Sequence, residues 1–209
     1  MPIAFDACYH LLMGRAGFVL TGGESRRMGR DKALLRGPSG VPLAAQIADS
    51  VREAAGSVVL IGPPERYTHL GFPVLADRVP ACGPLGGLYT ALCATSAEWN
   101  LIVACDMPNL TGHFLEDLLA AAEASPADCL VAEDAHGIHP LCAVYNRRCL
   151  PVVESAIRHN QLKMHTLVSS LRFEKWPTPE AAMLTNVNTR EDLEAVRCPL
   201  SAVRFQGGQ

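Results

Sequence analysis

Short apolar runs alternate along the chain with longer segments whose apolar residues recur at helical spacing. The apolar runs lie at 17–20, 58–61, 72–75, 100–105, 128–132 and 141–145. Helices are predicted at 42–55, 85–94, 111–124, 148–159, 164–170 and 191–197, and an extended segment at 172–176. Continuous apolar runs are typical of strands buried on both faces of a parallel sheet. We therefore predict the α/β class, with a three-layer Rossmann-like, mostly parallel sheet and helices on both faces.

Turn and cap residues support the boundaries of these elements. Pro42 lies near the start of the first predicted helix and Gly56 just beyond its end, an arrangement that favours a helix between them. Thr111 is a suitable cap for the helix that follows it. Pro73 removes a backbone donor, so the third strand is predicted to be irregular or to lie near an edge of the sheet.

The length of the chain suits one domain. With 209 residues it can bury most of its apolar surface, and we predict a single domain over 16–200. Residues 1–15 are predicted to be a poorly ordered N-terminal extension, and 201–209 a C-terminal tail. The first fifteen residues lack the apolar centre of a secretory signal. No apolar run reaches the ~18 residues that cross a bilayer.

The cysteines and the net charge narrow the cellular compartment and the classes of binding partner. The eight cysteines form no C-x-x-C pair, and several stand inside apolar runs, so we expect reduced core residues in a cytoplasmic protein. The net charge of −3 gives no reason to expect nucleic acid or an anionic membrane as a partner. Between Glu24 and Arg36, however, five cations outnumber two acids, so positive charge is concentrated in one segment.

That segment, Leu20–Lys32, follows the first predicted strand. It contains Gly22, Gly23 and Gly29 together with Arg26, Arg27, Arg30 and Lys32. Glycine lets backbone N–H groups approach an anion, and successive N–H groups in a turn bind one, so the segment predicts a triphosphate cradle. It matches neither the P-loop nor the dinucleotide-binding pattern, because no Gly-Lys-Ser/Thr follows and the first two glycines are adjacent. The alternative is a surface turn with solvated arginines.

Two aspartates follow predicted strands. Asp77 comes two residues after Leu75, and Asp106 directly follows the run that ends at Cys105. Ligands of such sheets bind beyond the carboxyl ends of the strands, so both carboxylates should share an edge with the glycine segment. Magnesium prefers one or two carboxylates together with phosphate oxygens, which makes Asp106 the candidate ligand. Alternatively, Asp77 pairs with Arg78 or Arg66, and Asp106 caps the turn before Pro108.

Three further segments stand out. In Gly83-Pro84-Leu85-Gly86-Gly87, Pro84 suits the first turn of a helix. Each of the last two glycines costs a helix ~1 kcal/mol relative to alanine, which favours a functional reason for them. His139-Pro140 lies before the sixth strand, where the spacing of nearby acids and histidines fits no standard metal site.

The third segment is Asn186-Val187-Asn188-Thr189. Alternation places Asn186 and Asn188 on one face of an extended stretch, where two amides can donate hydrogen bonds to a ligand and accept them from it. The alternative is that Asn188 or Thr189 caps the last helix, with Asp192 in a capping box. Both interpretations can hold together.

These motifs together resemble the signature of the MobA-like nucleotidyltransferases, a family with the nucleotide-diphospho-sugar transferase type of fold. The matching residues are Leu20-Thr21-Gly22-Gly23, Ser25, Arg27-Met28-Gly29, Asp31-Lys32, Leu34-Leu35, Gly83–Leu88, Asp106-Met107-Pro108, His139-Pro140 and Asn186–Asp192, within about 16–197. The resemblance implies nucleotide binding by Leu20, Thr21, Gly22, Gly23, Lys32, Asp77 and Asp106. It implies acceptor binding by Gly83, Pro84, Leu85, His139, Asn186 and Asn188. It implies catalysis by Lys32, Asp106 and Arg27, with Mg²⁺ held by Asp106.

The resemblance also implies a reaction. GMP would pass from MgGTP to molybdenum-loaded molybdopterin, giving the guanine dinucleotide and pyrophosphate, with molybdoenzyme chaperones or apo-enzymes as recipients. Leu20-Thr21-Gly22-Gly23 is nearer the guanine-specific form than the cytosine-specific one, although Thr21 replaces an alanine. Alternatives are a cytidylyltransferase, a sugar-phosphate nucleotidyltransferase, or a non-catalytic nucleotide-binding protein that delivers the cofactor. Retention of Lys32 and Asp106 argues against the last.

Overall fold

A seven-stranded sheet forms the centre of the protein. The computed structural model describes residues 14–21, 31–37, 40–178, 181–187 and 192. The strands are β1 (Arg15–Leu20), β2 (Val59–Ile61), β3 (Val74–Leu75), β4 (Trp99–Ala104), β5 (Cys129–Asp134), β6 (Gly137–Asn146) and β7 (Phe173–Pro177). Every apolar run predicted to be a strand is therefore a strand, and the predicted extended segment is β7.

Six α-helices connect or flank these strands in the described part of the chain. They are α1 (Leu43–Ala55), α2 (Pro64–Tyr67), α3 (Gly83–Cys93), α4 (Gly112–Ala124), α5 (Leu150–Arg158) and α6 (Met164–Ser169). Short 3-10 turns occupy Lys32–Leu34, Thr68–Leu70, Arg147–Cys149 and Ala181–Leu184. The sequence pattern did not predict α2. The predicted helix 191–197 and its cap Thr189 lie outside the described residues, Asp192 excepted.

The strand order is β3-β2-β1-β4-β6-β5-β7. β1 pairs in parallel with β2 and β4, β2 with β3, and β5 with β7, whereas β6 runs antiparallel to both β4 and β5. The predicted mostly parallel sheet is confirmed, and β3 lies at an edge as Pro73 suggested. Because only β6 is reversed, the carboxyl ends of the other six strands and the start of β6 share one edge, which we call the carboxyl edge.

Helices cover both faces of the sheet. Neighbouring residues of β1 point to opposite sides, as the alternation of a strand requires: Val19 packs with Ile47 of α1 and Leu118 of α4, and Phe18 packs with Leu88 of α3. All five side chains are fully or almost fully buried. The predicted three-layer architecture is confirmed.

Local signals act as expected at two helix ends. The Thr111 side chain accepts a hydrogen bond from the Phe114 N–H at 3.2 Å and caps α4. Gly56 ends α1 in the left-handed region, at a φ of 73°, and its N–H donates to the Arg52 carbonyl. β1 begins at Arg15, one residue before the predicted domain boundary, and the Arg15 guanidinium pairs with both carboxylate oxygens of Glu123 at 2.7 and 2.6 Å.

The cysteines of the described residues are all free thiols. Cys105, Cys129, Cys142 and Cys149 are buried, and burial raises the pKa of each of these thiols. They therefore fill the core as predicted. Across the described residues, no helix has the length and apolar character that crossing a bilayer requires.

Candidate active site

The carboxyl edge brings together most of the predicted site residues that the structure describes. Leu20 and Thr21 end β1, Lys32 begins the 3-10 turn before α1, and Asp77 follows β3. Asp106 follows β4, and His139 lies in the first part of β6. Gly22, Gly23, Arg27 and Asn188 lie outside the described residues, so their predicted roles stay predictions.

Asp106 lies in the turn that follows β4 and is half-buried. Burial raises the pKa of its carboxyl group, and the positive charge of Lys32 and the Asp106 backbone N–H partly offset that rise. Lys32 is thus close enough for its charge to act on Asp106, although 74 positions separate the two in the chain. Both residues lie at the carboxyl edge, as predicted, and their shared role at one triphosphate stays a prediction.

Lys32 is held by a capped turn. The Asp31 carboxylate accepts a hydrogen bond from the Ala33 N–H at 3.1 Å, and the Leu35 N–H donates to the Lys32 carbonyl at 3.0 Å. The Leu43 N–H at the start of α1 donates to the Leu35 carbonyl at 2.8 Å, which ties the turn to the helix. The backbone of Lys32 is therefore fixed relative to α1.

The residue that sequence reasoning missed is Tyr67, at the end of α2. Its ring is buried, and its hydroxyl lies 2.8 Å from Asp31 Oδ2 and 3.1 Å from the Thr21 carbonyl oxygen. Burial and the neighbouring Asp31 carboxylate raise the pKa of Tyr67. Pro64 at the first position of α2 and Gly71 after it were the sequence signals for a short helix here.

Arg66, beside Tyr67, resolves one of the alternatives for Asp77. Its guanidinium lies 3.6 Å from Asp31 Oδ2, so Arg66 pairs with Asp31 rather than with Asp77.

The Thr21 side chain forms a hydrogen bond within the sheet. Its hydroxyl donates to the Ile61 carbonyl at 2.8 Å, its backbone N–H donates to the same oxygen at 3.0 Å, and only 3% of the residue is exposed. Gly62 makes room for this arrangement, because a Cβ there would lie 2.4 Å from Thr21 Oγ1 and 2.9 Å from the Tyr67 ring. The threonine that replaces alanine in the family pattern thus links β1 to β2.

We expect Thr21→Val to lower the free energy of unfolding by about 1 kcal/mol, because it removes one buried hydrogen bond and leaves the backbone bond to Ile61. Nucleotide affinity should not change, since the hydroxyl faces β2. Urea unfolding and calorimetric titration with MgGTP measure the two quantities, and Thr21→Ser is the matched control that keeps the hydroxyl. A weakened affinity with unchanged stability would contradict this assignment.

Asp77 lies between β3 and α3 and presents an incompletely satisfied carboxylate. Its Oδ1 atom is buried and has no hydrogen-bond partner among the described residues. Burial raises the pKa of Asp77. A buried acceptor without a donor is uncommon in folded proteins and costs about 1–3 kcal/mol, so the position favours a ligand that supplies the donor.

The start of α3 separates into exposed and buried parts. Gly83 and Pro84 are exposed at the carboxyl edge, whereas the Leu85 side chain is fully buried in the core between α3 and the sheet. Leu85 can therefore meet an acceptor only through its backbone. The predicted acceptor-binding roles of these three residues stay predictions.

The two helical glycines that follow have a packing reason. A Cβ on Gly86 would lie 2.9 Å from the Val79 carbonyl oxygen, and a Cβ on Gly87 would lie 2.9 Å from Leu20 Cδ2. Close contacts with the protein's own atoms thus account for both glycines, for which the sequence favoured a functional reason. Gly86 brings the loop that contains Val79 against α3, and Gly87 brings α3 against the end of β1.

We expect Gly86→Ala to lower the free energy of unfolding by about 1–2 kcal/mol, because the new methyl group must displace a backbone carbonyl. Gly87→Ala should be close to neutral, since its methyl group meets the end of a flexible leucine and helix propensity improves by ~1 kcal/mol. Urea unfolding of the two variants side by side measures the difference. Equal effects would show that the Val79 loop moves freely.

His139 is fixed by a carboxylate. Its Nε2 lies 3.1 Å from Asp134 Oδ2, and Asp134 Oδ1 accepts a hydrogen bond from the His136 N–H at 2.8 Å. Burial raises the pKa of Asp134, but the His136 N–H and the His139 ring outweigh it and leave that pKa below its ordinary value. The register of β4 with β6 pairs Val103 with Cys142, so His139 lies just beyond the end of β4, on the side of Asp106. Its predicted role at the acceptor is not tested by this geometry.

Residues 181–187, which we call the strap, run along the loop that contains Asp106. The Val187 N–H donates to the Asp106 carbonyl at 2.8 Å, and Asn109 Nδ2 donates to the Ala182 carbonyl at 2.8 Å. Val187 is fully buried and packs with Leu43. Asn186 is exposed on the strap, one residue from the Asp106 contact, and its predicted role at the acceptor stays a prediction.

Sequence comparisons with known proteins agree on one family, and a solved structure shares the fold. A family model described as the MobA-like NTP transferase domain matches residues 17–174. A probable molybdenum cofactor guanylyltransferase of Nostoc sp. is 36% identical, covering 86% of this chain and 88% of its own. A protein of the same description from Flavobacterium johnsoniae is 31% identical over 88% of this chain and 97% of its own. The crystal structure of molybdopterin-guanine dinucleotide biosynthesis protein A from Archaeoglobus fulgidus has a TM-score of 0.76, with 22% identity over 90% of this chain and all of that one.

Proposed function

The chain belongs to the MobA-like NTP transferase family and is a nucleotidyltransferase, and we propose that it transfers GMP from GTP to molybdopterin. The product would be molybdopterin guanine dinucleotide. The observation on which the proposal depends most is that Lys32 and Asp106 both lie at the carboxyl edge, where the charge of Lys32 lowers the pKa of Asp106. The description of its relatives as probable molybdenum cofactor guanylyltransferases supports the choice of base and acceptor.

The reaction balances without a protein nucleophile. A terminal phosphate oxygen of molybdopterin attacks the α-phosphorus of GTP, the bond between the α-phosphorus and the bridging oxygen breaks, and pyrophosphate leaves with that electron pair. A phosphate monoester is largely ionised at neutral pH, so the attacking oxygen needs no general base. Positioning and charge stabilisation then supply most of the rate. Lys32 neutralises charge on the triphosphate, and Asp77 Oδ1 accepts a hydrogen bond from the nucleotide.

Asp106 fits a divalent cation. It offers a half-buried carboxylate at the carboxyl edge, next to the predicted phosphate site. The described residues contain no group of three or more histidine, cysteine, aspartate or glutamate side chains that could hold a metal by themselves. One carboxylate completed by phosphate oxygens is the donor set that Mg²⁺ prefers. When bound there, Mg²⁺ would supply positive charge to the reacting and leaving phosphate oxygens.

On the acceptor side, we assign binding to groups at the carboxyl edge. Gly83 and Pro84 at the start of α3, His139 in β6 and Asn186 on the strap lie along the same edge. His139 is oriented by Asp134, so its ring presents a defined face to an acceptor. Molybdopterin carries a pterin and a phosphate, which amide and imidazole groups can bind by hydrogen bonds.

Two measurements test the function. Thermal unfolding in the presence of Mg²⁺ and each of the four nucleoside triphosphates should give the largest stabilisation with GTP, because a ligand of the folded state raises its stability. Pyrophosphate release should then require both GTP and molybdopterin. Stabilisation by CTP instead would point to a cytidylyltransferase. Turnover with a hexose phosphate and none with molybdopterin would overturn the proposed acceptor, and GTP binding without turnover on any acceptor would overturn the enzyme.

A further inference from the structure

Tyr67 connects parts of the chain that are distant in sequence. It lies between Gly62 and Gly71, beyond β2, and it belongs to none of the motifs that pointed to the site. Its hydroxyl nevertheless lies 3.1 Å from the Thr21 carbonyl at the end of β1 and 2.8 Å from Asp31 Oδ2, directly before Lys32. Tyr67 therefore meets the residues on either side of the segment 22–30, which contains the glycines and arginines of the predicted cradle.

We propose that Tyr67 is a positioning residue for the nucleotide, which fixes the turn that contains Lys32 against the end of β1. The inference deepens the proposed function, because it names a residue through which Lys32 is held at its place near Asp106. The contact passes from the Tyr67 hydroxyl to the Asp31 carboxylate and from that carboxylate to the turn.

The first step of the connection is the position of the Tyr67 ring. The ring is 1% exposed and packs over Gly62, where a Cβ would lie only 2.9 Å from Cε2 of the ring. Thr21, whose carbonyl lies near the hydroxyl, is itself tied to the Ile61 carbonyl through both its N–H and its side chain. The hydroxyl is therefore held by the sheet, and it moves only if β1 and β2 move.

The second step is the carboxylate of Asp31. One oxygen accepts from the Ala33 N–H inside the turn, and the other faces the Tyr67 hydroxyl, so this side chain joins the turn to the tyrosine. Arg66 stands 3.6 Å from the same oxygen but is largely exposed, and an exposed ion pair adds little. The hydroxyl is thus the main anchor that the sheet provides for this carboxylate, and a hydrogen bond to a charged group is among the stronger ones.

The direct test is Tyr67→Phe, which keeps the buried ring and removes only the hydroxyl. We expect the Kd and the KM for MgGTP to rise about tenfold, the loss expected when one charge-assisted hydrogen bond no longer fixes the turn. The KM for molybdopterin should stay within about twofold of the wild-type value, since the acceptor does not depend on this turn. A merely structural role would lower the active fraction, and hence kcat, and would move neither KM.

Tyr145→Phe is the matched control. Tyr145 is also fully buried, and its hydroxyl donates to a backbone carbonyl, that of Pro140, at 2.8 Å. This variant loses one buried hydroxyl away from the turn, so the Kd for MgGTP should remain that of the wild type. Equal GTP affinities of the Tyr67→Phe and Tyr145→Phe proteins would overturn the inference.

A double-mutant cycle of Tyr67→Phe with Asp31→Asn tests whether Tyr67 acts on the Lys32 turn through the Asp31 carboxylate. If Tyr67 acts through Asp31, the loss of GTP affinity in the double variant should be at least about threefold smaller than the product of the two single losses. Multiplicative losses would show that Tyr67 acts by another path and would overturn the inference. Failure of the proposed function is distinguishable, because then the wild-type protein itself would show neither GTP-dependent stabilisation nor turnover.

Discussion

The variant Asp106→Asn should lower kcat by about a thousandfold or more and leave the fold intact, because the amide cannot hold a divalent cation as the carboxylate does. Asparagine has the same shape as aspartate and removes only the charge. Asp106 is half-buried in the turn after β4, where the charge is the costly feature of the side chain. The loss of activity should therefore not come from unfolding.

The same variant has a defined effect on stability. Burial raises the pKa of Asp106 in the folded state, so the folded protein binds a proton at a higher pH than the unfolded chain does. Stability is therefore lost as the pH rises from the unfolded pKa through the folded one, and it stays lower above that range. Removing the charge should make Asp106→Asn at least as stable as the wild type at neutral pH, and the difference should vanish in acid.

Pyrophosphate release at saturating GTP and Mg²⁺, with urea unfolding at neutral and acidic pH, measures both quantities. Asp49→Asn is a suitable control, because Asp49 lies on α1, its side chain is 55% exposed, and its ion pair with Arg52 is a surface one. Undiminished turnover of Asp106→Asn would show that the cation, if any, is held elsewhere. Lost turnover together with lost stability at neutral pH would contradict the account of the buried charge.

The second large effect is expected for Lys32→Met. Removal of the ammonium group should lower kcat/KM for GTP by about a hundredfold, the magnitude typical of losing one preorganised group that stabilises developing charge. Methionine keeps most of the side-chain length. The turn should survive, because it is held by the Asp31 carboxylate and by the backbone hydrogen bond from Leu35 to Lys32.

Lys32→Met also predicts a change in pH dependence. The Lys32 charge lowers the pKa of Asp106 against the rise caused by burial, so without it that pKa should rise further. The acidic limb of the activity profile, where Asp106 gains a proton, should then move to higher pH. Lys163→Met, an exposed lysine at the start of α6, is the matched control. If Lys32→Met lowers activity but leaves the acidic limb of its pH profile in place, the Lys32 charge does not act on Asp106 and the prediction is wrong.

The fold was predictable because its signals are local. The apolar run before Asp106 is a six-residue strand with all of its residues buried. Thr111 caps the start of α4 and Gly56 ends α1, as their chemistry predicts. Of the site, the sequence predicted the groups that follow strand ends, since the carboxyl ends of strands meet at one edge. The rule places Asp106 at the carboxyl edge, and Lys32 was placed there because its segment follows β1.

The rest of the site depends on contacts between residues distant in sequence, which no local pattern encodes. Tyr67 lies in a helix of only four residues, and nothing near it in the sequence indicates that its hydroxyl reaches Asp31. The sequence favoured a functional reason for the glycines of α3, whereas in the structure Gly86 meets the Val79 backbone. A glycine pattern shows that something approaches closely, but it does not distinguish a ligand from another part of the chain.

The strap has a consequence for the order in which this protein is completed. β1 to β4 and the turn of Lys32 lie in the first half of the sequence, so they emerge early from the ribosome. The Asp106 carbonyl, however, receives its hydrogen bond from Val187, about eighty residues later, which also packs on Leu43 at the start of α1. During synthesis, the Asp106 loop therefore lacks this hydrogen bond until about eighty further residues have been added to the chain.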